Sequence, residues 1–244
     1  MKLTLKPLIG AVLIAITLHS GADFAQTPGA SVKPKTGVAQ TPQVSTVVAA
    51  GKANPLAGGA EIFENLTETS PVMDAVTFKK SLSEFEALYP EISRRLSADR
   101  KMRLDILVTG VRNAWQKGDR SAMAIQSIEA YRLLQESIDH SGQPVPVEVP
   151  MLDYAGFKLK GLLLSTRPDW KQVAKTAQEA SAWWTAIAPR ITDQTLREGM
   201  NHAVDGINEA AARKDPKLLR FAAKLDLILV DGLETFFSSH PPSR

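Results

Sequence analysis

The sequence contains no cysteine. That absence rules out disulfides in any compartment, thiolate-held metal centres, covalent c-type haem, thiol nucleophiles and a lipid-modified cysteine at the start of a mature chain. Histidine is scarce, four in 244 residues, and none stands in a His-Glu-x-x-His or Glu-x-x-His pattern. No Gly-rich phosphate loop and no Gly-x-Ser-x-Gly nucleophile elbow occurs. Aromatic residues make up only 6% of the chain, and the net charge is +3, with no basic cluster of the kind that grips nucleic acid or an anionic membrane. No alternating apolar–polar run is long enough for a strand. Val145 to Pro150 alternates but is interrupted by prolines, which makes it an extended connector. Stability must therefore come from helices burying a hydrophobic core.

What is present begins with an export signature. Lys2 and Lys6 form a positive start, Leu8 to Leu18 is an uninterrupted apolar stretch, and Ser20-Gly21-Ala22 supplies small residues for a signal peptidase. Cleavage after Ala22 is preferred to cleavage after Ala25, which would place Asp23 at the third position back. An apolar run of this length is short of the ~20 residues that span a bilayer, so residues 1–22 read as a signal peptide rather than an anchor. Its removal takes two of the 29 basic residues, leaving 27 against 26 acidic ones, a nearly neutral mature chain. Residues 23–70 then read as a disordered linker, in which Glu61 to Glu68 could form a transient helical turn. They are rich in Ala, Pro and Thr, and most of the stretch lacks the bulky side chains that offset the entropy of ordering a chain.

From Pro71 onward the apolar residues recur at helical spacing. One stripe runs Phe85, Leu88, Ile92, Leu96; the next Leu104, Leu107, Val108, Val111, Trp115; a third Ala124, Ile128, Tyr131, Leu134, Ile138. The second half repeats the scheme with Val173 to Ile191, Leu196 to Ala210 (Thr192 as its N-cap) and a last helix from Lys217 to about Phe237. Lys117-Gly118-Asp119 and Arg213-Lys214-Asp215-Pro216 carry a helix stop followed by an acidic N-cap. The predicted fold is all-α: residues 71–244 form an up-and-down bundle of two antiparallel hairpins joined by a shorter helix near Leu152–Leu164. The two turn motifs lie 96 residues apart, and both Pro71–Lys79 and Pro150–Lys158 read P-x-x-D-x-x-x-F-K. These matches read as an internal duplication, residues 71–139 against 150–237, although any two helical hairpins share such patterning. If it holds, Asp74 and Asp153 are equivalent helix-start residues, with Phe78 and Phe157 buried one turn on.

Candidate sites are few. Trp115, Tyr131, Trp183 and Trp184 could line an apolar groove between the hairpins that takes a small apolar ligand or a partner helix; the competing reading is core packing. Asp74, Asp153 and Asp226 read as N-caps or buried polar groups. On a helical projection of the last helix, Leu218, Leu225, Leu229, Gly232 and Phe236 mark the buried centre. That leaves Asp226 at its edge, paired with a basic residue of a neighbouring helix. His202 with Glu198 and Asp205 is the weak metal candidate, better read as a solvated charged face. No catalytic residue and no cofactor is predicted. The expectation is an exported, periplasmic or secreted, non-enzymatic binding or accessory protein, with no membrane span after signal cleavage and no nucleic-acid partner. Its partner would be another periplasmic protein or a small apolar ligand. A carrier of a metal or porphyrin is the first alternative; an enzyme with a non-standard carboxylate site, using Asp153, Asp226 or Glu136, is the second.

Overall fold

The computed structural model describes residues 54–240, and these form eight helices: α1 (Pro55–Thr69), α2 (Ala75–Arg95), α3 (Ala98–Gln116), α4 (Arg120–Gln135), α5 (Glu148–Leu162), α6 (Trp170–Ile187), α7 (Gln194–Arg213) and α8 (Pro216–Ser239). Seven of the eight start from a side chain that accepts backbone N–H groups of the first turn. Asn54, Asp74, Ser97, Asp119, Asp169, Asp193 and Asp215 do this, each a residue type that caps well. Asp193, not Thr192, caps α7, because its carboxylate reaches the Leu196 N–H at 3.0 Å. Helix α5 is the exception. It follows Val147 without a side-chain cap and carries Pro150 in its first turn, where a missing N–H costs little.

Both predicted hairpins are present, α3 against α4 and α7 against α8. Their turns close the same way. Gly118 (φ 67°) and Lys214 (φ 53°) adopt the left-handed conformation, and the next residue donates its N–H back five residues, Asp119 to Ala114 O at 2.9 Å and Asp215 to Ala210 O at 3.0 Å. Each aspartate then caps the helix that follows. The other half of the proposed duplication does not hold. Asp74 is an exposed N-cap, whereas Asp153 lies inside α5, which begins at Glu148, and is buried. Phe78 and Phe157 are both buried, but one lies a turn into a surface helix and the other in the middle of a core helix.

Part of the predicted linker is core. Residues 1–53, and with them the signal peptide and most of the linker, lie outside the described residues, but 55–69 form α1. Its Leu56, Ala60, Phe63 and Leu66 follow helical spacing, and Phe63 and Leu66 are completely buried against α2 and α4. Reading 23–70 by average composition masked a short amphipathic stretch whose bulky residues share one face.

Helix α5 sits at the centre. It packs against α4, α6 and α8 and touches α1, and 13 of its 15 residues are buried. The shorter joining helix of the sequence reading is thus the element on which the two halves meet. Its side chains enter all three apolar clusters: Tyr154 and Phe157 join α1–α4, Val149, Leu152 and Ala155 join the Trp184–Phe237 end of α6–α8, and Leu159 and Leu162 join the Val173–Leu219 end. A helix apolar nearly all round is the sequence mark of such a position.

If α1 is part of the core, Phe63→Ala leaves a cavity and should cost about 3–5 kcal/mol in urea unfolding. A change below about 0.5 kcal/mol, the range of surface substitutions, would return α1 to the linker.

Candidate functional site

Because α5 is buried on every side, its polar residues need partners inside the protein. Asp153, Tyr154 and Lys158 meet that demand in two different ways.

Tyr154 and Lys158, four residues apart on one face of α5, point toward α4 and α6. Lys158 Nζ lies 2.7 Å from Glu129 Oε1 of α4 and donates to Tyr154 Oη at 2.7 Å, while Tyr154 Oη donates to the same Glu129 oxygen at 2.8 Å. Arg132, one turn along α4, stands 4.9 Å over the Tyr154 ring and 5.5 Å over that of Trp183. It pairs with Glu136 at 2.7 Å and with Glu179 of α6 at 3.1 Å. Burial pushes the Tyr154 hydroxyl well above its ordinary value, with the neighbouring Glu129 adding to the shift, so it acts as a neutral donor. A buried pair of this kind adds little net stability, but removing one partner strands the other charge.

Outside this network, α3, α4 and α6 enclose a cleft of about 420 Å³. Ile106, Leu107 and Leu133 are its apolar lining, Ile106 at the exposed edge, and Arg100, Arg103 and Lys175 line it with Glu129, Arg132, Glu136 and Glu179. Arg100 is fixed by donating to the Glu136 carbonyl at 3.0 Å and to Ser137 Oγ at 2.9 Å.

Asp153 faces the other way and finds no cation. Tyr131, whose hydroxyl donates to Pro150 O at 3.3 Å, stands close enough to the Asp153 carboxyl to oppose part of the shift in its pKa. Its pKa is raised well above the ordinary range by burial first, then by Glu64 of α1 and by Glu234 and Asp226 of α8. Asp226 is 0% exposed, and neither of its carboxyl oxygens has a hydrogen-bond partner. It lies against Gly156 of α5, where an added methyl would come within 2.6 Å of Oδ2 and 2.7 Å of Leu227 Cδ2. Burial alone raises its pKa well above the ordinary value. Glu64 is pushed up to about 7, by burial and then by Glu234, Glu61, Glu68 and Asp231. Among the described residues none of these acids forms an ion pair. The carboxyls are accommodated by keeping their protons.

The predicted site residues are dispersed. Trp115 stacks on Phe78 with ring centroids 4.3 Å apart and has Arg120 over its face. Tyr131 is buried beside Asp153. Trp183 meets Tyr154 edge-on, and Trp184 is buried and donates to Asn201 Oδ1 at 2.7 Å. The four aromatics therefore share no single groove. Asp74 is the N-cap of α2, accepting the Thr77 N–H at 2.8 Å. The placement of Asp226 is a correction. The buried face of α8 is Leu219, Ala222, Ala223, Asp226, Val230, Leu233 and Phe237, so Asp226 is central and unpaired instead of marginal and ion-paired. Small residues, Ala222 and Ala223, mark the buried face here, and a projection weighted by the larger leucines turns the helix away from it. His202, Glu198 and Asp205 are exposed on α7, and no group of three acidic or histidine side chains among the described residues is arranged to hold a metal. Glu136 is an exposed partner of Arg132. Sequence reasoning missed Lys158, Glu129, Arg132, Glu179 and Glu64. The one available sign was the nearly all-apolar stretch from Val149 to Leu164, which marks any charge within it as buried.

The class defined by this fold is an all-α helical bundle, and among the described residues no helix is long and apolar enough to cross a membrane. Neither family models, curated proteins nor solved structures provide a match to the chain.

Asp153, Asp226, Glu64, Glu61 and Glu234 all have folded pKa values above their unfolded ones. The folded protein thus holds protons that the unfolded chain has released. The associated stability is fully present below the ordinary carboxyl values of 3.8 and 4.5 and is lost as pH rises through the folded values, about 7 for Glu64. Asp74 and Asp169, held low by backbone N–H groups, act oppositely and lose their contribution as pH falls. Urea midpoints should therefore peak at about pH 4 and fall toward pH 8; a midpoint that rises between pH 5 and pH 8 contradicts the assignment. Asp226→Asn should match the parent below about pH 3.8 and exceed it by a growing margin above that, on the order of 1–3 kcal/mol by pH 8.

Proposed function

We propose that the protein is an exported, non-enzymatic binding or accessory module of the periplasm or cell exterior. The export half of this reading rests on Lys2, Lys6, the apolar stretch Leu8 to Leu18 and the small residues ending at Ala22. The binding half rests on one observation, the cleft between α3, α4 and α6, with its apolar and charged lining. A concave, partly apolar surface backed by a buried network is a rigid platform for a ligand or a partner segment.

The carboxylate-enzyme alternative draws support from the raised pKa values of Asp153 and Asp226, since acid–base catalysts are often perturbed in that direction. Asp226, however, is sealed from solvent, so a substrate could reach it only after α5 and α8 separate. Binding at the open cleft requires no such movement, and it is the reading adopted.

Intact-mass measurement on protein recovered from the periplasm of a Gram-negative host should find a chain beginning at Asp23. A chain beginning at Gln26 moves the cut and keeps the export reading. A full-length chain retained in the cytoplasm overturns it.

A further inference from the structure

Resting on the binding reading above, we propose that the α3/α4/α6 cleft is a site for a small organic oxyanion carrying at least two negative groups, carboxylate or phosphate. The argument follows where each charge in the cleft is used. Each of its three acids has a cationic partner: Glu129 pairs with Lys158 and Tyr154, while Glu136 and Glu179 share Arg132 and Glu179 Oε2 is left without a hydrogen bond. Lys175 and Glu179 are four apart on α6, a spacing at which opposite charges commonly pair on a helix. Here Arg132 takes the Glu179 Oε1 oxygen instead. Three cations remain. Arg100 bonds only to a backbone carbonyl and a hydroxyl, and neither Arg103 nor Lys175 has an ion-pair or hydrogen-bond partner among the described residues.

Arg100 and Arg103 are one turn apart on α3, where like charges repel, and Lys175 stands on α6 across the cleft. A concave site with an excess of one charge concentrates counter-ions of the other sign. Guanidinium groups match planar or tetrahedral oxyanions through paired N–H bonds, and Lys adds a movable point charge. The volume, about 420 Å³, holds a molecule of metabolite size, and Ile106, Leu107 and Leu133 receive its carbon skeleton. Ile106 is 62% exposed, an apolar side chain that such a ligand would cover. Arg100, already held by Glu136 and Ser137, is positioned before the ligand arrives, which limits the ordering cost of binding.

The test is an amide NMR titration of the mature chain with citrate, with pyrophosphate and with the polycation spermidine, repeated at 20 and 150 mM NaCl. The expected result is saturable shifts confined to α3, α4 and α6 with citrate or pyrophosphate, persisting at the higher salt; which of the two binds tighter separates a carboxylate from a phosphate ligand. Arg103→Gln with Lys175→Gln should weaken binding about tenfold or more. Lys79→Gln with Lys217→Gln, an equal charge change on α2 and α8, should leave it unchanged; circular dichroism checks that both variants fold. An equal loss in both pairs, or shifts that vanish at 150 mM NaCl, would reduce the effect to general screening and overturn the site. Shifts at the cleft with spermidine alone overturn the anion assignment while sparing the binding reading. No saturable shift with any probe overturns both.

Discussion

The ionisable groups of the interior are governed by the burial of α5 on all its faces. A surface helix can turn its charges to water; a central one cannot, and α5 carries an aspartate, a tyrosine and a lysine within six residues, Asp153 to Lys158. Those three groups fix what the surrounding helices must provide. Lys158 and Tyr154 require Glu129, which brings α4 close, and Arg132 then extends the network to Glu179 on α6. The cleft is a by-product of that arrangement. With Glu129 and Glu179 drawn toward Lys158 and Arg132, and Glu136 also on Arg132, Arg103 and Lys175 are left facing solvent.

On the opposite face the solution is protonation. Among the described residues no cation faces Asp153 or Asp226, and the acids of α1 and α8 around them reinforce one another's resistance to ionisation. The two faces of one helix therefore differ in kind. One is held by charge-assisted bonds and the other by neutral acids, so only the second weakens as pH rises. Gly156 is where the second face closes: without a side chain there, α8 can bring Asp226 against α5.

Local features were legible in the sequence and tertiary ones were not. Gly118–Asp119 and Asp215–Pro216 act within a few residues of themselves, so that turn and both caps could be read directly and are found in the structure, whereas the left-handed Lys214, not a glycine, carried no such sign. The all-α class followed from periodicity in the same way. Residues 55–69 were missed because composition averaged over a long segment conceals four bulky residues on one helical face. Asp226 was placed at the edge because large leucines were given more weight than alanines. Close helix packing reverses that weighting, and only the partner's Gly156 reveals it. The network around Lys158 joins residues 22 to 47 positions apart, pairings that only tertiary packing selects. The cleft was illegible for the same reason, since Lys175 looks like an ordinary helix-surface partner for Glu179 until Arg132 is seen to take that place.

If α5 is the element shared by all three apolar clusters, its backbone can open only when the whole bundle does. Native-state hydrogen exchange of Met151 to Leu159 tests this most directly. The account predicts that these amides are among the slowest in the chain and exchange with the free energy and denaturant dependence of global unfolding. Exchange of α5 through a smaller opening, while α1–α4 or α6–α8 stays protected, would contradict it.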